Sequence, residues 1–221
     1  MPTTYAHYKF GKEVLSALPR PLQNSIEAHR ELFDIGLHGP DILFYYNALK
    51  KDPVNEQGHT LHEQFADEFF HHAVEVIEKA KDPSAARAYI YGFICHFALD
   101  SECHPYVEKI MQVGRVSHNE IEMELDRMML TEDYHDPLRY LTAKHIQPKM
   151  EYAEVIAPFF KDVTAEQIYK ALKGMVFYHK LFLAPTSGKR KALFLGMKAV
   201  GKYDSLHDIV MSVKPDPLCQ K

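Results

Sequence analysis

His96 and Asp100 are the only strongly polar side chains in the stretch Tyr89–Asp100, which reads YIYGFICHFALD. Residues at i and i+4 project from one face of a helix. A carboxylate in so apolar a setting is costly unless something positive pairs with it. An imidazole and a carboxylate one turn apart can grip a metal ion. A second pair of the same spacing, His118 and Glu122, follows, with His104 lying between the two pairs. The connection between the pairs is short and contains Gly114. A helix that folds back there brings His96, Asp100, His104, His118 and Glu122 together. Upstream stand further ligand types: His7, Asp41, His59 and His62. Imidazole mixed with carboxylate suits zinc, and also manganese or iron. Several carboxylates among the imidazoles favour two or three ions with open positions, a catalytic rather than a structural design. No cysteine sits where a structural zinc site would want one.

The elements that must position these residues read as helices nearly throughout. Apolar spacing predicts a first helix over Tyr5–Leu18, ended by Pro19, and a second from Pro21 to about Phe33. Pro40 fits a short helix over Asp41–Leu49, and a polar loop is expected around Lys51–Gly58. Thr60 and Glu63 have capping-box spacing for a helix to about Lys81. Asp82-Pro83-Ser84 caps the central helix, expected over Ala85–Ser101 and buried all round, with Pro105 disturbing the chain beyond it. Ser117 opens a helix to about Leu130, Asp136-Pro137 a short one, and Pro148 another. Thr164 caps Ala165–Leu183, and a last helix covers Lys189–Val200. No β-alternation persists. The expected fold is all-α: one domain over residues 1–221, with many helices packed around the central one.

The chain has 221 residues and a formal net charge of −4, which gives no case for specific nucleic-acid binding. Fourteen histidines are the compositional oddity. Three cysteines without a CxxC pair do not form a disulfide framework. No secretory leader and no membrane-spanning stretch is visible, so the expected location is cytoplasmic, with a peripheral membrane contact open. Lys189, Arg190, Lys191, Lys198 and Lys202 are interleaved with Leu193, Phe194, Leu195, Met197 and Val200, and no acid interrupts them. Such a helix either covers the core or lies on an anionic bilayer. Phe44, Tyr45 and Tyr46 are core residues first and candidate pocket residues second.

The order His7, Asp41, His62, His96-x3-Asp100, His104, His118-x3-Glu122 resembles the bacterial zinc-dependent phospholipase C family, whose all-α architecture and zinc cluster are shared with the S1/P1 nucleases. The segments TTYAHYKFG, GLHGPDILFYY and GHTLHEQFADEFF also resemble that family, and the likeness covers roughly Met1–Leu130. The resemblance implies three clustered zinc ions. Asp41, His62, His96 and Asp100 would hold the first, and His104, His118 and Glu122 the second. His7 would hold the third, with Asp100 as a bridge. His62 is preferred to His59 because the resemblance centres on GxxLHxxxxxxFF. Secreted members complete the third site with an N-terminal Trp. This chain has no Trp. That site is therefore expected to use water or a free amino terminus, or to stay vacant.

The function implied is hydrolysis of a phospholipid or related phosphodiester by a metal-activated water. Asp41 is the candidate catalytic base, with Glu63 and Glu120 behind it. Two alternatives stay open: a nuclease or phosphatase on the same scaffold, and a metal- and lipid-binding module without turnover. The remaining histidines match no ligand position, although His38 is close enough in sequence to support a ligand. The oligomeric state is not legible.

Overall fold

The computed structural model describes residues 4–114, 116–216 and 219. Among these the chain is all-α, with no strand. The helices are α1 (Thr4–Ala17), α2 (Arg20–Glu27), α3 (Arg30–Gly36), α4 (Pro53–Glu63), α5 (Ala66–Lys79), α6 (Pro83–Val113), α7 (His118–Glu132), α8 (Met150–Ile156), α9 (Ala165–Phe182), α10 (Ser187–Ala199) and α11 (Tyr203–Leu206). A 3₁₀ turn, Gly39–Tyr45, follows α3.

The described residues fall into two compact units. One contains residues from His7–Leu99 and Ala143–Phe177, the other those from Met1–Ala6, Asp100–Thr142 and Tyr178–Lys221. In the first unit, Leu15, Ile26, Phe33, Leu37 and Cys95 form a buried cluster, with Tyr8, Val14, Leu22 and Tyr91 packed on it. Burial pushes the Cys95 thiol up to about 11, so it stays an uncharged packing residue. Two glycines set the spacing between α3 and α6. A Cβ on Gly92 would meet the Phe33 carbonyl oxygen at 2.2 Å, and one on Gly36 would meet the Tyr89 carbonyl oxygen at 2.1 Å. The two backbones therefore run in direct contact one turn before His96.

In the second unit Tyr5, Leu130 and Met211 form one buried cluster and Val107, Val116 and Ile121 another. The start of α1 is held by Asp126, whose carboxylate accepts from the backbone N–H groups of Tyr5 (3.1 Å) and Ala6 (2.9 Å). These are orphan donors of a first helical turn. Leu193, Phe194 and Met197 of α10 pack with Ala184 and Val210, so the apolar face of the basic helix covers this unit's own core.

Several boundaries differ from those expected. α4 begins at Pro53 because Asp52, not Thr60, makes the capping box: its side chain accepts from Val54 N–H, while Asn55 accepts from the Asp52 N–H. The expected loop at Lys51–Gly58 is thus mostly helix. Thr60 instead donates back to the Glu56 carbonyl. The expected long helix to Lys81 is two helices, broken at Gln64–Phe65. The short helix after Pro40 stops at Tyr45, and Asn47 turns the chain with φ 48°. Asp136-Pro137 makes a turn capped by the Asp136 side chain rather than a helix. Pro21–Phe33 divides at Ala28–His29, and nothing in the local sequence signals that break.

The central helix is much longer than Ala85–Ser101. Asp82 accepts from the Ser84 and Ala85 N–H groups at its start, and the helix runs through Pro105 to Val113. Proline inside a helix forfeits one backbone bond and costs about 3 kcal/mol, so other contacts must outweigh that loss here. Nor is this helix buried all round. Ile94 (44% exposed) and Phe97 (42%) reach the surface on the face they share with Arg87, while Tyr89, Phe93 and His96 point inward.

Candidate metal centre

Three elements of the first unit meet at one point. The 3₁₀ turn carries Asp41, α4 carries His62 and α6 carries His96. These residues offer ligand atoms that all lie within 4.8 Å of one another. Asp41 and His96 are buried, and His62 closes the group on its exposed side. Gly39 makes the approach possible. It adopts φ +47°, and a Cβ there would lie 2.2 Å from the His96 ring. Any other residue would push the imidazole off the turn.

The His62 ring is oriented at both nitrogens. Nδ1 lies 2.7 Å from the Gly58 carbonyl, one turn back on α4, and Nε2 lies 3.0 Å from Asp41 Oδ1. A carbonyl only accepts, so Nδ1 carries the proton. Such fixing of one nitrogen aims the other, as is usual for metal-binding histidines. His59 is in none of the ligand groups found among the described residues; its ring packs 4.5 Å from that of Phe44, which the His62 ring also faces at 5.6 Å. His7 is buried and stacks on His96, ring centroids 4.5 Å apart.

The second unit holds a separate group: His104, His118 and Glu122, whose ligand atoms also lie within 4.8 Å of one another. Ser117 caps α7 by accepting from the Glu120 N–H, which fixes the first turn. His118 Nε2 then lies 2.7 Å from Glu122 Oε1 on the same face. The rings of His104 and His118 stand edge to face at 5.3 Å. Asp100, one turn before His104 on α6, has an oxygen 3.8 Å from His104 Nε2.

Donor chemistry fits zinc. Each group joins two imidazoles to one carboxylate, without a thiolate, leaving room for a water or substrate oxygen in a tetrahedral shell. Glu63 and Glu120, the weaker candidate bases, join neither group. Glu120 faces Asp208 and Asp216; burial first, then those carboxylates, raise its pKa.

In the aromatic run after Asp41, Phe44 and Tyr46 are half-buried. Tyr45 is buried, and burial raises its phenol pKa, with nearby Asp41 adding to the rise. The Tyr46 ring is faced by Lys170, with Nζ 4.7 Å from its centroid. Spacing gave no sign of a further pair. His38 and His145, separated by 107 positions, bring their Nε2 atoms to 2.7 Å.

The described residues define an all-α protein with clusters of imidazole and carboxylate that could hold metal ions. The model of the zinc-dependent phospholipase C family matches residues 6–174, and the chain belongs to that family. The match reaches well past Leu130, where the sequence likeness was expected to fade. No curated protein and no solved structure matches the chain.

Proposed function

We propose that the chain is a zinc-dependent phosphoester hydrolase acting on a phospholipid or a related phosphodiester. The observation that carries this reading is the convergence of Asp41, His62 and His96 from three separate elements. Two imidazoles and a carboxylate are a donor set that suits zinc, and the family is zinc-dependent.

Asp41, His62 and His96 would hold one ion, and His104, His118 and Glu122 another. His7 and Asp100 are assigned as further ligands, which gives two or three ions. Manganese or iron would suit the same donors. Zinc in such a site supplies Lewis acidity, offsetting charge on phosphoryl oxygens and making a nearby water more acidic. The chain's own groups do the rest. His62 offers only Nε2, because Nδ1 is committed to Gly58. Asp41, buried at the edge of its group, orients the attacking water and takes its proton. No covalent nucleophile is needed.

The surface available for a peripheral bilayer contact is narrower than the sequence suggested. Lys189 donates to the Lys180 carbonyl and Arg190 to the Met211 carbonyl. Lys191, Lys198 and Lys202 remain at the surface with Leu195 and Val200. Among the described residues no helix is long and apolar enough to cross a membrane.

The test is zinc-loaded protein on phosphatidylcholine vesicles. Chelator-sensitive release of diacylglycerol and phosphocholine is expected. Release of nucleotides from single-stranded DNA instead would move the activity to the nuclease class. Bound zinc without turnover of any phosphoester would leave a metal- and lipid-binding module.

A further inference from the structure

His38, which is buried, and His145, which is half-buried, form a pair that the proposed chemistry does not use. His38 is 1% exposed. The contact between the two Nε2 atoms is 2.7 Å, short enough that one proton must lie between them, so one ring donates and the other accepts. Tyr8 lies flat against His145, ring centroids 4.0 Å apart and planes 10° apart. The turn that carries His145 is itself anchored. Ala143 and Ile146, on either side, are buried, and the Ile146 N–H donates to the Ala143 carbonyl. His145 is therefore a fixed post.

His38 sits at the mouth of the 3₁₀ turn. Its carbonyl accepts the Asp41 N–H at 3.0 Å, and the next residue is Gly39, whose backbone lies against His96. A rotation at His38 would carry Asp41 with it. Gly39 itself offers little resistance to such a rotation, and the turn is otherwise held by Pro40 and by the buried Ile42 and Leu43 beyond it. The side-chain bond to His145 adds a restraint from a segment remote in the chain.

We propose that His145 is a positioning residue for Asp41, acting through His38 to hold the turn that aims the carboxylate at His62 and His96. This inference rests on the reading of those three residues as metal ligands. Loss of groups that orient ligands typically weakens metal binding about 10–100-fold.

The test uses cobalt(II) as a visible probe of the full-length protein. His145→Phe keeps a ring against Tyr8 but can neither donate nor accept. It should retain cooperative thermal unfolding of the metal-free protein. One class of cobalt site should weaken about 10-fold or more, with an altered visible band, while the other class is unchanged. His145→Gln reaches to where Nε2 lies and should restore both affinity and spectrum. An unchanged spectrum and affinity in His145→Phe overturns the proposal, as does a Gln variant no better than Phe. If His145→Phe does not fold, His145→Gln and His145→Asn decide. Gln should behave as wild type and Asn, being shorter, should not; equal behaviour overturns the proposal. Wild-type protein that binds neither cobalt nor zinc overturns the metal-centre reading and this one with it.

Discussion

Nε2 of His62 faces Oδ1 of Asp41 at 3.0 Å while Nδ1 of the same ring is held by the Gly58 carbonyl. Since the carbonyl fixes the proton on Nδ1, a neutral ring turns a lone pair toward a carboxylate oxygen. Two acceptors at that distance repel unless a cation lies between them or the ring itself is charged. Metal coordination would resolve the conflict, because both atoms would then donate to one ion; a protonated ring would resolve it as an ion pair.

Replacement of His62 and of His59 by alanine should therefore have opposite results. His62→Ala should lower zinc content by about one equivalent per chain, because a carboxylate and one imidazole make a weak site. His59→Ala removes only a ring beside Phe44 and should leave zinc content at the wild-type value. Elemental analysis of the dialysed proteins reads both. Equal zinc in all three proteins would rule His62 out as a ligand.

Removal of metal should destabilise the protein. Binding to the folded state alone adds stability, on the order of 4 kcal/mol at a thousandfold excess over Kd. A chelator should lower the melting temperature of wild type clearly. In Glu122→Gln, where the group with His104 and His118 loses its carboxylate, the drop should be smaller. Calorimetry with and without chelator checks this; a chelator without effect on wild type would show that no such ion supports the fold.

Gly92→Ala tests the backbone contact that sets α6 against α3. The new methyl would lie 2.2 Å from a carbonyl oxygen, and backbone cannot rotate aside. Overpacking of this kind costs about 1–3 kcal/mol or more. The melting temperature should fall by roughly 2–12 °C for a chain of this size. Tight zinc uptake should fall as well, since His96 stands one turn further along α6. A melting temperature within a degree of wild type would show that the helices part freely there.

A pH effect arises outside the metal groups. His179 has Thr142 Oγ1 at 3.0 Å from Nδ1 and Thr4 Oγ1 at 3.3 Å from Nε2. Burial lowers its pKa from 6.5 to about 4, so the folded state keeps the ring neutral. The unfolded chain takes a proton below pH 6.5 and the folded chain resists it until about pH 4, so stability is full above that window and falls through it. The loss is at most about 3 kcal/mol, and less to the extent that the residue keeps some exposure. Urea midpoints between pH 7 and 4 should fall more steeply for wild type than for His179→Gln. Parallel curves for the two would remove His179 as the cause.

Much of the fold was legible because helix signals are local. Ser117 and Thr164 cap where their side chains suggested, with α7 and α9 following directly. The misplaced boundaries lie where local signals were misweighted or absent. Thr60 was expected to start one helix across what read as a loop, but Asp52 starts it earlier, with Asn55 accepting from the Asp52 N–H. Pro105 looked like an end, yet α6 runs through it. Proline imposes a cost there rather than a prohibition.

Residue types and spacing alone determined which side chains can ligate, because i and i+4 on a helix share a face whatever surrounds them. They also determined the all-α class, since helical periodicity and caps are written within a few residues of one another. The resemblance already preferred His62 to His59, but only the tertiary structure set His62 3.0 Å from Asp41 and showed that Gly39 makes room for His96. It alone paired His38 with a histidine 107 residues away. Contacts of that kind depend on how helices approach in space, and approach distance is set by backbone contacts such as Gly36 against Gly92, which carry no periodic signal in the chain.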